Sequence, residues 1–219
     1  MDAPTPDPAT SLGAALADLA FAQAHDQALV EIDLAAEARG EPVPDRAAAT
    51  FAAWALRAVG AERVVELGAG AGALTWWLVG AVGDAGEVHA VCDPPSAVRL
   101  EAVLRRSGRF APVTVHTTDA PDRGVSPDHL AELAGEFDAI VVRQVTPRLE
   151  EVWDQVVARL RTGGALLIGD VAPGGPPAGT AARAVREALE DPELWTTVVP
   201  IGTGWVAALK ARSTPSGTA

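Results

Sequence analysis

The sequence predicts an α/β fold built on a doubly wound, mostly parallel sheet. From residue 62 onward, five short runs rich in β-branched residues alternate with helical windows: RVVEL, EVHAV, PVTVH, FDAIVV and ALLIG. Strands that alternate with helices favour parallel pairing, because each crossover returns the chain to the same end of the sheet. Two further runs, TTVVPI and WVAALKA, are separated by Gly-Thr-Gly, a hairpin signal that predicts an antiparallel last strand.

Start and stop signals place the helices along the chain. Before the first strand, helical stretches are predicted over residues 11–24, 26–39 and 45–60, and later windows cover 71–82, 95–107, 126–134, 148–161 and 179–189. Residues 1–10 and 212–219 are expected to be flexible tails, since they lack apolar periodicity. We therefore predict one domain over residues 11–211, with a helical cap at 11–60 and a sheet core at 62–211.

The charge and composition of the chain restrict its partners and its location. Its 219 residues carry 17 basic and 29 acidic side chains, a net charge of -12, which argues against a nucleic-acid partner. No apolar run approaches the roughly 20 residues that span a bilayer, and the N-terminus lacks a signal-peptide pattern, so we expect neither membrane insertion nor export. The single cysteine, Cys92, suits a reducing cytoplasm.

The most informative local pattern is VVELGAGAGALTWWL, residues 64–78, where a strand runs into three alternating glycines and then a helix. Gly68, Gly70 and Gly72 let the backbone approach a ligand closely, and the start of the helix offers N–H groups and a positive dipole end. About 20 residues later, the strand EVHAVC ends in Asp93, the position from which a carboxylate binds ribose hydroxyls in doubly wound folds. The spacing predicts a ligand that contains a nucleoside.

The same residues are compatible with a purely structural role or with a different nucleotide. The glycines could form only a tight turn while Asp93 caps the next helix, and NAD is a rival ligand because Gly68, Gly70 and Ala73 satisfy GxGxxG/A. Glu66, two residues before the first glycine, resembles the acidic start of motif I in class I methyltransferases that use S-adenosylmethionine. There the acid lies near the cationic methionine part of the cofactor, whereas a pyrophosphate would gain nothing from it.

Over residues 11–211 the order of features resembles the small O-methyltransferases of the caffeoyl-CoA and catechol type, especially the bacterial members. The shared features are the leading helices, ELGAGAG with Thr75 and Trp77, Asp93, TTDA around Asp119, FDAIVV, LRTGGALLIGD and PIGTGWVAALK. The resemblance implies a class I methyltransferase fold, Rossmann-like, with a seven-stranded sheet and an N-terminal helical extension. It also implies methyl transfer from S-adenosylmethionine to a hydroxyl of a small molecule, and a homodimer.

The resemblance further implies contacts to the cofactor, residue by residue. Around its amino-acid part and the glycine loop it places Glu66, Gly68, Gly70, Gly72 and Thr75; at the ribose, Asp93; and at the adenine, Asp119 and Ala120. Structural alternatives exist for three of them. Glu66 could pair with Arg63, Asp119 could cap a turn, and Thr75 could hydrogen-bond within its helix.

In the metal-dependent members of that family, an Asp after strand four and an Asp-Asn pair after strand five bind a divalent cation. Here strand four is followed by Arg143-Gln144-Val145-Thr146 and strand five by Asp170-Val171. Since a cation beside Arg143 would meet like charge and too few oxygens, we predict no divalent site. Arg143 is then the candidate to orient an acceptor oxygen.

Asp170 is the candidate base or substrate anchor, and an ion pair between Asp170 and Arg143 is the structural alternative for both residues. Two other functions stay open as well: a relative that binds S-adenosylmethionine without turnover, and an NAD-dependent oxidoreductase. Trp54, in the leading helices, is a candidate to face substrate or a second subunit.

Overall fold

A single sheet organises the protein in the computed structural model, which describes residues 27–38, 40, 43–118, 132–143, 148–171 and 178–211. Among these residues the strands are β1 (Arg63–Leu67), β2 (Glu87–Cys92), β3 (Val113–Thr117), β4 (Phe137–Val142), β5 (Leu160–Gly169), β6 (Leu194–Val199) and β7 (Trp205–Lys210). Their order is β3-β2-β1-β4-β5-β7-β6. The first five pair in parallel, and β7 lies antiparallel between β5 and β6, so the predicted seven-stranded sheet with an antiparallel last strand is confirmed.

Helices cover both faces of the sheet. The described helices are α1 (Gln27–Glu37), α2 (Arg46–Ala58), α3 (Ala73–Val82), α4 (Pro94–Ser107), α5 (Arg148–Glu151), α6 (Trp153–Arg159) and α7 (Ala178–Glu190). Residues of α2, α3 and α4 form one buried cluster with Val64, whereas residues of α6 and α7 form another with Val65. Because successive residues of a strand point to opposite faces, β1 contributes to both clusters. The doubly wound arrangement is therefore confirmed.

The N-terminal helices attach to the sheet side that carries α3 and α4. In α1, Leu29 and Ile32 pack with Trp76 and Val103, and α2 begins at the N-cap Asp45, whose Oδ1 accepts hydrogen bonds from two backbone N–H groups. The predicted helix at 11–24, both predicted tails and most of the predicted helix at 126–134 lie outside the described residues. Within the described part of the chain, no helix is both long and apolar enough to cross a membrane.

The largest difference from the predicted elements concerns residues 148–161, where the sequence predicts one helix. That helix is divided into α5 and α6, it ends at Arg159, and β5 begins at Leu160 instead of the predicted Ala165. Gly163 and Gly164, which read as a helix stop followed by a loop, lie inside the strand. The prediction of a continuous helix is therefore wrong.

A bulge in β5 explains this difference. Phe137 pairs with Leu160 but Ala139 pairs with Ala165, so four residues of β5 stand opposite Asp138 alone. Asp138 Oδ1 accepts a hydrogen bond from Arg161 Nε, and its Oδ2 accepts the backbone N–H groups of residues 62 and 63 at 2.9 and 2.7 Å. Burial alone would raise the pKa of Asp138, but these hydrogen bonds and the Arg161 charge together hold it below its ordinary value.

Candidate functional site

The glycine loop connects β1 to α3 in a conformation that few other residues adopt. Gly68, Gly70 and Gly72 have φ values of +82°, +56° and +93°. The backbone N–H groups of Gly68 and Ala69 both donate to the Val91 carbonyl oxygen, at 3.0 and 2.9 Å, which ties the loop to the end of β2. The N-cap of α3 is Gly72, so no side chain caps its first turn. The N–H groups of that turn can therefore serve a ligand.

Close neighbours explain why two of these positions exclude a side chain. A Cβ at Gly70 would lie 2.5 Å from Arg143 Nη1, and a Cβ at Gly72 would lie 2.3 Å from Leu100 Cδ1. Gly72 is thus required by the packing of α4 against the loop, independently of any ligand. Gly70 instead gives room to the guanidinium of Arg143.

Glu66 lies beneath this loop on the face of β1 that α3 covers. Its side chain is fully buried, with 0% of its surface exposed. Oε2 accepts a hydrogen bond from Thr75 Oγ1 on α3 at 2.5 Å, while Oε1 has no hydrogen-bond partner among the described residues. Burial raises the pKa of Glu66 to about 7, although the Thr75 hydrogen bond and the Arg143 charge act in the opposite direction.

The alternative ion pair of Glu66 with Arg63 is not the one that forms. Arg63 Nε donates to Glu87 Oε1 instead, on the neighbouring strand β2. Thr75, predicted to act at the same place as Glu66, does contact it rather than bonding back within α3. The structure therefore brings these two predicted residues together.

Asp93 follows β2 and is the N-cap of α4. Its Oδ1 accepts the backbone N–H of Ser96 at 2.9 Å, and its Oδ2 accepts Ser96 Oγ at 2.7 Å. The capping role considered from the sequence is therefore real. A carboxylate can accept about four hydrogen bonds, so capping and ribose binding are compatible.

Arg143 and Asp170 line a common cavity of about 170 Å³ at the carboxyl ends of β4 and β5. The remaining wall consists of residues from the start of α2, from α3 and from the hairpin between β6 and β7, namely Val43, Pro44, Asp45, Ala48, Leu74, Gly169, Gly202, Thr203 and Trp205. The two predicted residues therefore line one cavity, and the rest of its wall is mostly apolar. The cavity is of a size that suits a small molecule or part of one.

The backbone of Asp170 is strained. Its φ of 58° makes it the one non-glycine residue with positive φ in the described part of the chain. Its Oδ1 accepts a hydrogen bond from Thr203 Oγ1 at 2.5 Å, and the neighbouring Val171 N–H donates to the Gly204 carbonyl at 3.3 Å. Such strain, held in place by surrounding contacts, is typical of functional sites.

Sequence comparison identifies the family of this chain. No family model matches it. A protein of Mycolicibacterium paratuberculosis that is assigned as an O-methyltransferase is 30% identical over 161 residues, which cover 69% of this chain and 71% of that protein. The chain belongs to the O-methyltransferase family.

Solved structures share the fold of this O-methyltransferase at lower identity. The O-methyltransferase TomG of Streptomyces achromogenes, solved in complex with S-adenosylmethionine, has a TM-score of 0.74 at 20% identity, with 89% of this chain and 96% of that chain covered. A methyltransferase of Geobacter sulfurreducens has a TM-score of 0.77 at 18% identity, with 95% and 98% covered. The predicted class I methyltransferase fold is confirmed by this likeness.

Two predicted site residues lie outside the described part of the chain, and two residues that line the cavity were not predicted. Asp119 and Ala120, predicted at the adenine, lie outside the described residues. Thr203 and Trp205 line the cavity, and although both belong to the PIGTGWVAALK motif, neither was predicted as a site residue. The Gly-Thr-Gly turn was the available signal, because a last strand placed beside β5 brings that turn to the end of β5. Among the described residues, no group of three or more His, Cys, Asp or Glu side chains is placed to hold a metal ion.

Proposed function

We propose that this O-methyltransferase transfers the methyl group of S-adenosylmethionine to a hydroxyl of a small-molecule acceptor. The carrying observation is the fully buried carboxyl of Glu66, whose Oε1 has no partner among the described residues, next to the glycine loop. A buried acceptor without a donor is costly, so the site favours a ligand that supplies one, and a cationic ligand most of all. A pyrophosphate would bring negative charge and no N–H donor to this carboxyl, which argues against NAD.

The residues present fit the cofactor. Glu66, Gly68, Gly70, Gly72 and Thr75 would hold its amino-acid part, Asp93 its ribose, and Asp119 with Ala120 its adenine. When bound, the cofactor supplies an electrophilic methyl group on a positively charged sulfur. The described residues would bind and orient the cofactor: the glycine loop presents backbone N–H groups, and the carboxylate of Asp93 adds charge-assisted hydrogen bonds.

The cavity shared by Arg143 and Asp170 is the proposed acceptor site. Apolar walls such as Leu74 and Trp205 exclude water and restrict how a small acceptor lies. The guanidinium of Arg143 can donate to an acceptor oxygen and favour its ionised form, while Asp170, held by Thr203, can accept the hydroxyl proton as a general base. Together they would make the acceptor oxygen a better nucleophile.

Binding of S-adenosylhomocysteine by calorimetry tests the cofactor assignment. We expect micromolar affinity or better, no comparable binding of NAD, and at least tenfold weaker binding by Asp93→Ala, since hydrogen bonds to a charged group contribute roughly 1.5 to 3 kcal/mol each. Asp191→Ala is the matched control, because Asp191 also accepts one backbone N–H, that of Glu193, and one side-chain donor, Trp153 Nε1, but neither lines the cavity nor belongs to the proposed cofactor residues. Equal affinity of Asp93→Ala and the parent would contradict the assignment.

Turnover against a panel of phenols and catechols separates an enzyme from a relative that binds the cofactor only. Methyl transfer to any member of the panel that Asp170→Asn reduces strongly would support the proposed base. Binding of S-adenosylhomocysteine without turnover on the whole panel would favour the non-catalytic alternative.

We also propose that the reaction needs no divalent metal. The support is the fixed positive charge of Arg143 at the end of β4, where a cation would be repelled. Among the described residues the cavity offers two carboxylates, Asp170 and Asp45, and Asp45 Oδ1 already accepts two backbone N–H groups as the N-cap of α2. EDTA should leave cofactor binding and turnover unchanged, and magnesium or manganese should not raise Tm. Arg143→Asp combined with Val171→Asn should create a cation-dependent rise in Tm. A magnesium-dependent rise in the parent protein would contradict the proposal.

We propose a cytoplasmic homodimer. Trp54 on α2 is 64% exposed and stacks on Phe51 with ring centroids 6.3 Å apart, an apolar surface of the type enriched at interfaces. Light scattering should give about twice the chain mass of 22.5 kDa. A mass of one chain at every concentration would contradict the dimer.

A further inference from the structure

We propose that Glu66 carries a proton in the ligand-free protein and releases it to solvent when a cationic ligand group occupies the glycine loop. Cofactor binding would then be coupled to the loss of one proton from the protein. The inference rests on the proposed function and goes beyond it, because it makes the affinity of the site depend on pH through a named residue.

The hydrogen bonding of Glu66 favours the neutral acid before a ligand binds. The side chain is 0% exposed, and the described residues offer it one donor, Thr75 Oγ1, on Oε2. Oε1 has none. An ionised carboxylate has about four acceptor positions and is poorly stabilised in an apolar interior by a single hydroxyl donor. A proton on the carboxyl removes the charge that this surrounding cannot balance.

The charged groups around Glu66 do not compensate its burial. From the end of β4, Arg143 favours the carboxylate, but burial outweighs this effect and the pKa of Glu66 remains raised. On β2, burial above all raises the pKa of Cys92 to about 12, so that thiol is neutral and adds no negative charge beside Glu66. Thr75, from α3, is uncharged. A ligand ammonium would add the second cation and the missing donor at once.

Titration calorimetry of the full chain with S-adenosylhomocysteine measures the released proton directly. Each titration is done at pH 6, 7 and 8 in two buffers of different ionisation enthalpy, and the difference in heat gives the number of protons. With a pKa of about 7, we expect release of about 0.9 proton at pH 6, about half at pH 7 and about 0.1 at pH 8. The affinity should rise about fivefold from pH 6 to pH 7 and less than about twofold from pH 7 to pH 8.

Two comparisons test whether the released proton comes from Glu66 and whether the ammonium group of the ligand causes its release. Glu66→Gln keeps the shape of the side chain but cannot titrate, so its binding of S-adenosylhomocysteine should release no proton. Methylthioadenosine keeps the nucleoside and lacks the ammonium group, so its binding to the parent protein should release none either. Absence of release by the parent at pH 6, equal release by Glu66→Gln, or equal release with methylthioadenosine would overturn the proposal.

Ligand-free measurements keep the proposal testable if a variant fails to bind. Because the pKa of Glu66 is raised above its ordinary 4.5, the folded protein holds more protons than the unfolded chain between these two values. The free energy of unfolding of the parent should therefore fall with rising pH across this window, relative to Glu66→Gln. Parallel profiles would overturn the proposal.

A second variant covers the case in which Glu66→Gln does not fold. Thr75→Val removes the hydroxyl that favours the carboxylate, so the midpoint of proton release should move upward by about one pH unit. An unchanged midpoint would overturn the proposal. If the parent fails to bind S-adenosylhomocysteine at any pH, the proposed function fails, whereas the ligand-free pH profile still decides the protonation of Glu66.

Discussion

Replacing Gly70 by alanine tests whether Arg143 lies fixed against the glycine loop. The φ of Gly70 is +56°, a conformation that costs an L residue about 1 to 2 kcal/mol. In addition, the new Cβ would lie 2.5 Å from Arg143 Nη1, so the two atoms cannot both remain in place. Because Nη1 is the end of a flexible side chain, we expect the guanidinium to move and the backbone to stay.

Gly60→Ala is the matched control, since Gly60 has a φ of +62° and no atom within 4 Å of the position of its Cβ. In urea denaturation both variants should lose about 1 to 2 kcal/mol of unfolding free energy and should differ by less than about 0.5 kcal/mol. Gly70→Ala alone should bind S-adenosylhomocysteine less tightly and transfer methyl groups more than tenfold more slowly, because Arg143 is displaced from both halves of the site.

A double-mutant cycle with Arg143→Ala shows whether the guanidinium causes the defect. With the guanidinium gone, the added methyl group of Gly70→Ala has nothing to displace, so the two binding losses should not add. Additive losses, or a Gly70→Ala protein that binds and turns over like Gly60→Ala, would refute the reasoning. A stability loss that exceeds the control by more than about 1.5 kcal/mol would show that the backbone moves instead.

Two further variants test the contacts that shape the surroundings of the site. Asp138→Asn should lower the free energy of unfolding by about 1 to 3 kcal/mol at pH 6 to 7, because Arg161 and two backbone N–H groups bind its carboxylate. Since its pKa is held below the ordinary 3.8, the loss should shrink as the pH falls through that lowered pKa; denaturation from pH 6 to pH 3 measures this, and a constant loss would contradict it. Thr203→Val should leave S-adenosylhomocysteine affinity unchanged and lower kcat, with rescue by Thr203→Ser, because Thr203 donates to Asp170 Oδ1. Unchanged kcat, or a loss that serine does not rescue, would count against a positioning role.

The parts of the site that local patterns determine could be predicted from the sequence. Successive residues of a strand face opposite sides of the sheet, so Glu66 lies on the same side as Val64. The short glycine loop places α3 over that side, where Thr75 contacts Glu66. The meeting of Glu66 with Thr75 follows from this local geometry. The strand before Asp93 and the helix that Asp93 caps were also predicted correctly, because both depend on local sequence signals.

Contacts between distant parts of the chain could not be predicted in this way. The early start of β5 depends on the carboxylate of Asp138, which lies 23 residues from Arg161 and binds it across the sheet. Gly163 and Gly164 are a local stop signal, and no local pattern shows that a bulge absorbs them. The cavity wall at Thr203 and Trp205 likewise depends on β7 lying between β5 and β6, a sheet order that the hairpin signal alone does not determine.

The position of Arg143 brings a fixed positive charge to the cavity at the carboxyl ends of β4 and β5. Its backbone N–H donates to the Leu67 carbonyl at 3.0 Å, its guanidinium lies against Gly70, and it lines the cavity with Asp170. A divalent cation at this place would need several oxygen ligands arranged around it, whereas the guanidinium is attached covalently to the chain and needs no metal coordination shell. The charge of the same side chain partly offsets the rise that burial causes in the pKa of Glu66. The proposed cofactor side and the proposed acceptor side therefore share one positive charge.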